Sequence, residues 1–223
     1  MREEVLGKIR AALNGSHQRN VSEVAAAQLS PAPASDNGQS VRAAAIERFE
    51  SELKKVGGQF YRAENEQAVR DYVLNLAASR GARLAVGWNC SVIRELGLPE
   101  ALEGAGLEFI ADTGSEDFVQ KAIHAGLGIS GVDYALADTG SLVVISGPGR
   151  ARSASLVPPV HIALVKVEQV LADLNDLFPL LKKRGPLGSA IAFITGPSRT
   201  ADIEMTLVVG VHGPQQLHVI LFS

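Results

Sequence analysis

Cysteine is almost absent. Cys90 is alone among 223 residues, so no internal disulfide can form, and reduced cytoplasm is the expected setting. A lone thiol also cannot supply the four thiolates that an iron–sulfur cluster normally takes. Aromatic residues make up 5% of the chain, which leaves the core to Ala, Val, Leu and Ile. No apolar run approaches the ~18 residues of a membrane span. Met1-Arg2-Glu3-Glu4 lacks the apolar region of a secretory signal. Charge of one sign is lacking too: 21 basic against 24 acidic residues give a formal −3. Nothing in that balance favours nucleic acid or an anionic bilayer as a partner.

What remains is the patterning of a globular α/β chain. Residues 2–13 place Val5, Leu6, Ile9 and Leu13 on one helical stripe, and a weaker helical stretch covers Val21–Leu29. The Ser-, Pro- and Gly-rich segment 30–40 reads as a linker. Residues 1–40 are therefore expected to form a helical arm and linker, serving as a mobile tail or as a docking arm. Residues 41–223 form the main body.

In that body Val41, Ala45, Phe49 and Leu53 predict a helix ended at Gly57-Gly58, and Gln59–Arg62 predicts a strand. A helix through Ala68–Ala77, a strand at Arg83–Trp88 and a brief helix from Pro99 follow. After a strand at Leu107–Ile110, Thr113-Gly114-Ser115-Glu116 fits a capping box for a helix ending at His124. Gly131–Ala137 and Ser141–Ser146 are β-like runs with a turn-sized gap between them. Ile162–Val167 reads as a strand and Val170–Leu181 as a helix. Ala190–Thr195 and Leu217–Phe222 read as strands, and Ile203–Val209 as strand or helix. Alternation early and hairpin texture late predict an α/β fold with a layered mixed sheet flanked by helices.

Two loops share a pattern. Ser146-Gly147-Pro148-Gly149-Arg150 and Thr195-Gly196-Pro197-Ser198-Arg199 each follow an apolar β run. Ligands bind beyond the carboxyl ends of strands in such sheets. Small residues there allow close backbone approach, and an arginine offers a planar fork to carboxylate or phosphate. Arg150, Arg152, Gly196, Ser198, Arg199 and Thr200 are the candidate anion binders, set against tight turns with solvated arginines. Thr139, Gly140 and Ser141 could meet a ligand oxygen or simply close a hairpin. Asp202 and Glu204 could pair with Arg199 or serve as a general base. His161 and His212 stand at loop edges suited to proton transfer, while His124 suits a helix C-terminus. No histidine spacing matches a metal site.

Several stretches together carry a resemblance. They are Asp133–Val144 around Ala137-Asp138-Thr139-Gly140-Ser141, then Arg150–Arg152, and Leu156-Val157-Pro158-Pro159-Val160-His161-Ile162. Thr195–Glu204 and Val208–Pro214 complete the set. In this order they resemble the LUD-domain family, in its lactate-utilization branch. The family usually has Thr where this chain has Ser141, so the hydroxyl is kept. The resemblance implies a fold like that of sugar-phosphate isomerases and CoA transferases, with its site at strand ends. It also implies a role in bacterial L-lactate oxidation to pyruvate, with iron–sulfur partner subunits and no cofactor in this chain. From motif position, the expected ligand is a small carboxylate or phosphate, held in a single pocket at one rim of the sheet by residues near 139, 150, 161, 199 and 212, with His161, His212 and Glu204 as proton-moving candidates. The alternatives are a non-catalytic assembly or regulatory subunit, or a stand-alone enzyme acting on a sugar phosphate or acyl group.

Overall fold

The computed structural model describes residues 36–185, 187–201, 207–209 and 212–223. The two helical stretches expected before residue 30 lie outside this set, as do Asp202 and Glu204. The first described helix, α1 (Asp36–Lys55), starts inside the segment read as linker. It buries Ile46, Phe49 and Leu53, spaced three and four apart, while Val41 stays exposed.

Strand β1 (Gln59–Arg62) follows, then α2 (Glu66–Ser79), whose start is fixed by Asn65: its side-chain oxygen accepts the Ala68 N–H at 2.9 Å. Val69, Val73 and Ala77 recur every four residues and are fully buried. Next come β2 (Leu84–Gly87), the short helices α3 (Ser91–Glu95) and α4 (Leu98–Gly104), and β3 (Glu108–Ala111). Helix α5 (Asp117–His124) begins without the expected capping box. The helix has Glu116 at its cap position with no side-chain cap bond, and the Asp112 carboxylate accepts the Gly114 N–H at 2.9 Å, a local bond two residues on.

The later half contains β4 (Leu127–Gly131), β5 (Tyr134–Leu136), β6 (Ser141–Ile145), a four-residue helix α6 (Ser153–Leu156) and β7 (Val160–Lys166). After a single 3₁₀ turn, Val170 and Leu171 form the two-residue strand β8 rather than the start of a helix. Helix α7 (Leu174–Lys183) begins only after Asp173, whose side chain accepts the N–H groups of Asn175 and Asp176. Strands β9 (Ile191–Ile194), β10 (Arg199–Ala201), β11 (Leu207–Val209) and β12 (Gln216–Phe222) close the chain.

These elements build an α/β fold with two principal sheets. The larger is wholly parallel, in the order β1-β12-β7-β4-β2-β3. Its middle strands are apolar runs buried on both faces, as a covered parallel sheet requires. On one face Tyr72 of α2 bonds His218 of β12, and Val92 of α3 packs against Gly131. On the other, Phe49 of α1 meets Phe60 of β1 edge to face at 6.2 Å, and α6 lies on β4. A Cβ on Gly128 would fall 1.8 Å from the Ala154 carbonyl oxygen, so only glycine lets α6 sit there.

The smaller sheet, in the order β8-β5-β6-β9, is mixed. Leu142, Val144, Ala192 and Ile194 turn one of its faces into the main core. Leu136, Val143 and Ile145 turn the other toward Leu177 and Leu181 of α7. A separate two-stranded ribbon joins β10 to β11. Among the described residues, no helix is long and apolar enough to cross a membrane.

Candidate functional site

The two Gly-Pro loops do not meet. Strands β6 and β9 are antiparallel neighbours, with Leu142 opposite Ile194 and Ile145 opposite Ile191. A loop leaving the carboxyl end of β6 must therefore lie at the other end of the sheet from a loop leaving the carboxyl end of β9. The expected single pocket holding both arginine loops is corrected by this pairing.

The first loop lies at the carboxyl rim of the parallel sheet. Asn89, just past β2, donates its N–H to the Gly149 carbonyl at 2.8 Å. Gly149 has φ +70°, which a side chain would strain, and its turn is closed by the Arg150 N–H donating to Gly147. Asp112, past β3, is 3% exposed, and its second carboxylate oxygen accepts the Ala151 N–H at 2.7 Å. The Trp88 indole N–H donates to the Ala151 carbonyl at 3.1 Å. Two strand ends, those of β2 and β3, thus hold the loop.

Arg150 points its guanidinium over the Trp88 ring, 4.3 Å from the centroid, where the negative face of the indole attracts it. Its Nη2 donates to Asp133, just past β4, at 2.5 Å. The other Asp133 oxygen accepts from Arg184, which follows α7, also at 2.5 Å. The Ile145 N–H adds a third donor at 2.7 Å. Two guanidiniums therefore share one buried carboxylate. Cys90 lies beside this group against Gly131. Burial pushes its thiol up, against the opposing pull of the Ile93 and Gly131 backbone and the charges of Arg150 and Arg94. It is not an activated nucleophile.

Next to the loop is a small pocket between the inner face of the smaller sheet and segment 152–156. Trp88, Val144, Ala192 and Ile194 wall it, and Ser146, Ser155 and Arg152 supply its polar groups. Arg152 is exposed and has no ion pair among the described residues.

The second loop lies at the amino end of β1 and β12. Gly196, with φ +85°, faces the Val56 carbonyl, to which Arg199 Nη2 donates at 2.8 Å. This arginine caps the end of α1, a common use of a basic side chain there. The Ser141 and Thr195 hydroxyls bond each other at 2.6 Å, and Gly140 presses against the backbone of Glu52 and Leu53. The Ser198 N–H donates to Pro214 at 2.8 Å. Thr139 and His212 are exposed nearby in the chain. Thr200 is in β10, and nothing is described of its side chain. Each polar contact in this group ties one element to another.

His161 faces neither rim. Strand β7 starts at Val160 and pairs on both sides, so His161 is wholly buried rather than at a loop edge. Its Nε2 bonds the Ser130 hydroxyl at 2.8 Å, and its Nδ1 has no partner. Burial lowers its pKa to about 3, so the ring is neutral.

Reading the sequence for site residues missed Asp133, Arg184, Trp88 and Asp112. One signal was available: Asp133 is an acid inside the run Gly131-Val132-Asp133-Tyr134-Ala135-Leu136-Ala137. An acid so placed needs partners. Replacing Arg199 by alanine should cost about 1 kcal/mol, the worth of one hydrogen bond, in urea unfolding. Because Arg199 is committed to Val56, carboxylate binding should stay within twofold of the parent in a calorimetric titration.

A parallel sheet covered by helices, a mixed second sheet and an arginine-bearing carboxyl rim define the class. The LUD domain family model matches residues 46–222, and the chain belongs to that family. It is similar to "Lactate utilization protein C" of Halalkalibacterium halodurans, 38% identical over 144 residues, which are 63% of each chain. The protein of that name from Anoxybacillus flavithermus is 30% identical over 159 residues, 71% of this chain and 72% of the relative. The one from Bacillus subtilis is 39% identical over 120 residues, 52% of this chain and 50% of the relative. A crystal structure of a DUF162 family protein from Deinococcus radiodurans shares the fold. Its TM-score is 0.56 at 18% identity, covering 86% of this chain and all of the other.

Proposed function

We propose that this chain is the LUD-domain component of a bacterial L-lactate utilization system, acting in the cytoplasm. The observation that carries the reading is the similarity of its body to relatives named for lactate utilization. Oxidation of L-lactate to pyruvate releases two electrons and two protons. One cysteine cannot anchor a cluster through thiolates, which agrees with a division of labour in which partner proteins carry the iron–sulfur chemistry. The arginine-rich carboxyl rim then suits the anionic end of the substrate or product.

Growth tests the proposal. A bacterium deleted for this gene should stop growing on L-lactate as sole carbon source while still growing on glucose. The full chain supplied on a plasmid should restore growth. Undiminished growth on L-lactate would remove the reading.

A further inference from the structure

We infer that the open edge of the smaller sheet joins two copies of this chain, β9 pairing antiparallel with the same strand of the second copy about a two-fold axis at Ala192.

The direction of the backbone groups comes first. Ser146 donates its N–H to the Ala190 carbonyl at 3.0 Å. The alternating ladder therefore also bonds Val144 to Ala192 and Leu142 to Ile194. The residues between them point the other way. On β6, the Val143 carbonyl accepts the Asp133 N–H at 2.8 Å, and the Ile145 N–H donates to the Asp133 carboxylate at 2.7 Å. Opposite them on β9, the N–H and C=O groups of Ile191 and Phe193 point away from β6. Among the described residues no strand pairs with that side. Such a row of donors and acceptors is a template for another strand.

This edge is also unguarded. The edges of the larger sheet each carry an exposed charge, Arg62 on β1 and Glu108 on β3. The opposite edge of the smaller sheet, β8, is two residues long. Segment Ala190-Ile191-Ala192-Phe193-Ile194-Thr195 has neither charge nor proline, the devices that keep edges apart. Apolar surface flanks it on both faces. Phe193 is 48% exposed on the face it shares with Val143. Leu156, 45% exposed, stands by Ala192 and Ile194 along the inner face.

The strand fits itself. With the axis at Ala192, Ile191 lies opposite the partner's Phe193, and Phe193 opposite the partner's Ile191. These two pairs exchange about four hydrogen bonds, and each sets an aromatic ring against a β-branched side chain, a favourable cross-strand combination. The two Ala192 methyl groups meet on the inner face, at the closer, non-hydrogen-bonded pair. An isologous contact closes on itself, so a dimer forms and not a filament. A four-residue edge falls short of the ~800 Å² per partner of a stable complex, so the dimer should be half formed at about 100 µM and dissociate on dilution.

Sedimentation velocity of the full chain from about 5 to 500 µM tests this, the weight-average mass rising from monomer toward dimer. Phe193→Lys should raise the midpoint at least tenfold. Strand β9 keeps its bonds to β6 in that variant, because Ala192 and Ile194 make them. Val41→Lys, beside β8 at the other edge of the sheet, should leave the midpoint unchanged. Position is read separately by cross-linking. In a Cys90→Ala background, Ala192→Cys should form an intermolecular disulfide under mild oxidation, and Val41→Cys should not. A chain monomeric at the highest concentration, a dimer as tight in Phe193→Lys as in the parent, or no cross-link through position 192 would overturn the inference.

Discussion

Asp133→Ala should be the most damaging single substitution at the carboxyl rim, lowering unfolding free energy by about 3 kcal/mol, at the low end for breaking a buried ion pair. The carboxylate is 5% exposed and serves three donors: Arg150, Arg184 and the Ile145 N–H. Removing it leaves two guanidiniums facing each other with no intervening charge, and a buried N–H without an acceptor. Arg184 and Arg150 are 33% and 22% exposed, so water recovers part of the loss. Asp133→Asn separates the contributions. Its amide oxygen can still accept from Ile145, so about 1 kcal/mol should return, while the repulsion between arginines persists. Urea unfolding of the two variants should show that order. Equal stability of Asp133→Ala and the parent would mean that the triad contributes nothing. The Trp88 emission should also shift in both variants, because Arg150 stays over the indole only while Asp133 holds its far end.

How much of this was visible in the sequence depends on whether the cause was local. The β5–β6 hairpin was legible because Asp138-Thr139-Gly140 interrupts two β-like runs. Helix α2 was legible because its apolar residues recur at helical spacing. Strand direction was not. The loops at Gly147 and Gly196 carry nearly the same residues, yet antiparallel pairing of β6 with β9 sends them to opposite ends, and no residue within either loop records that. The Asp133–Arg184 bond spans 51 positions, beyond any motif. The expected capping box at Thr113 did not form: the helix starts three residues later, with Glu116 at its cap position, while Asp112 is tied to Gly114 and across the fold to Ala151. His161 looked like a loop-edge residue after two prolines, but the strand starts one position before it. In each case a tertiary partner decided the outcome that the local pattern had left open.

The burial of His161 leads to a large acid sensitivity. In the unfolded chain a histidine takes up a proton below about pH 6.5. Folded, His161 resists protonation down to about pH 3, because burial penalises the charged ring and Nδ1 has no partner. His218 behaves alike, lowered to about 4 by burial and by the charge of Arg80. The Tyr72 hydroxyl lies 2.8 Å from its Nδ1. Between pH 6.5 and these folded values the unfolded state binds more protons, so stability falls as pH falls, then levels off below about 3 for His161 and 4 for His218. By pH 5 each histidine should cost about 2 kcal/mol relative to pH 8, roughly 4 kcal/mol together. These two rings are the histidines whose folded values depart from the ordinary one, so they set the loss over that interval. Urea unfolding at pH 8, 6 and 5 should trace the loss. His161→Gln, which can still bond Ser130, should halve the slope whatever its stability at pH 8, and the double variant with His218→Gln should nearly abolish it. A slope unchanged in the double variant would show that neither ring is held neutral in the folded protein.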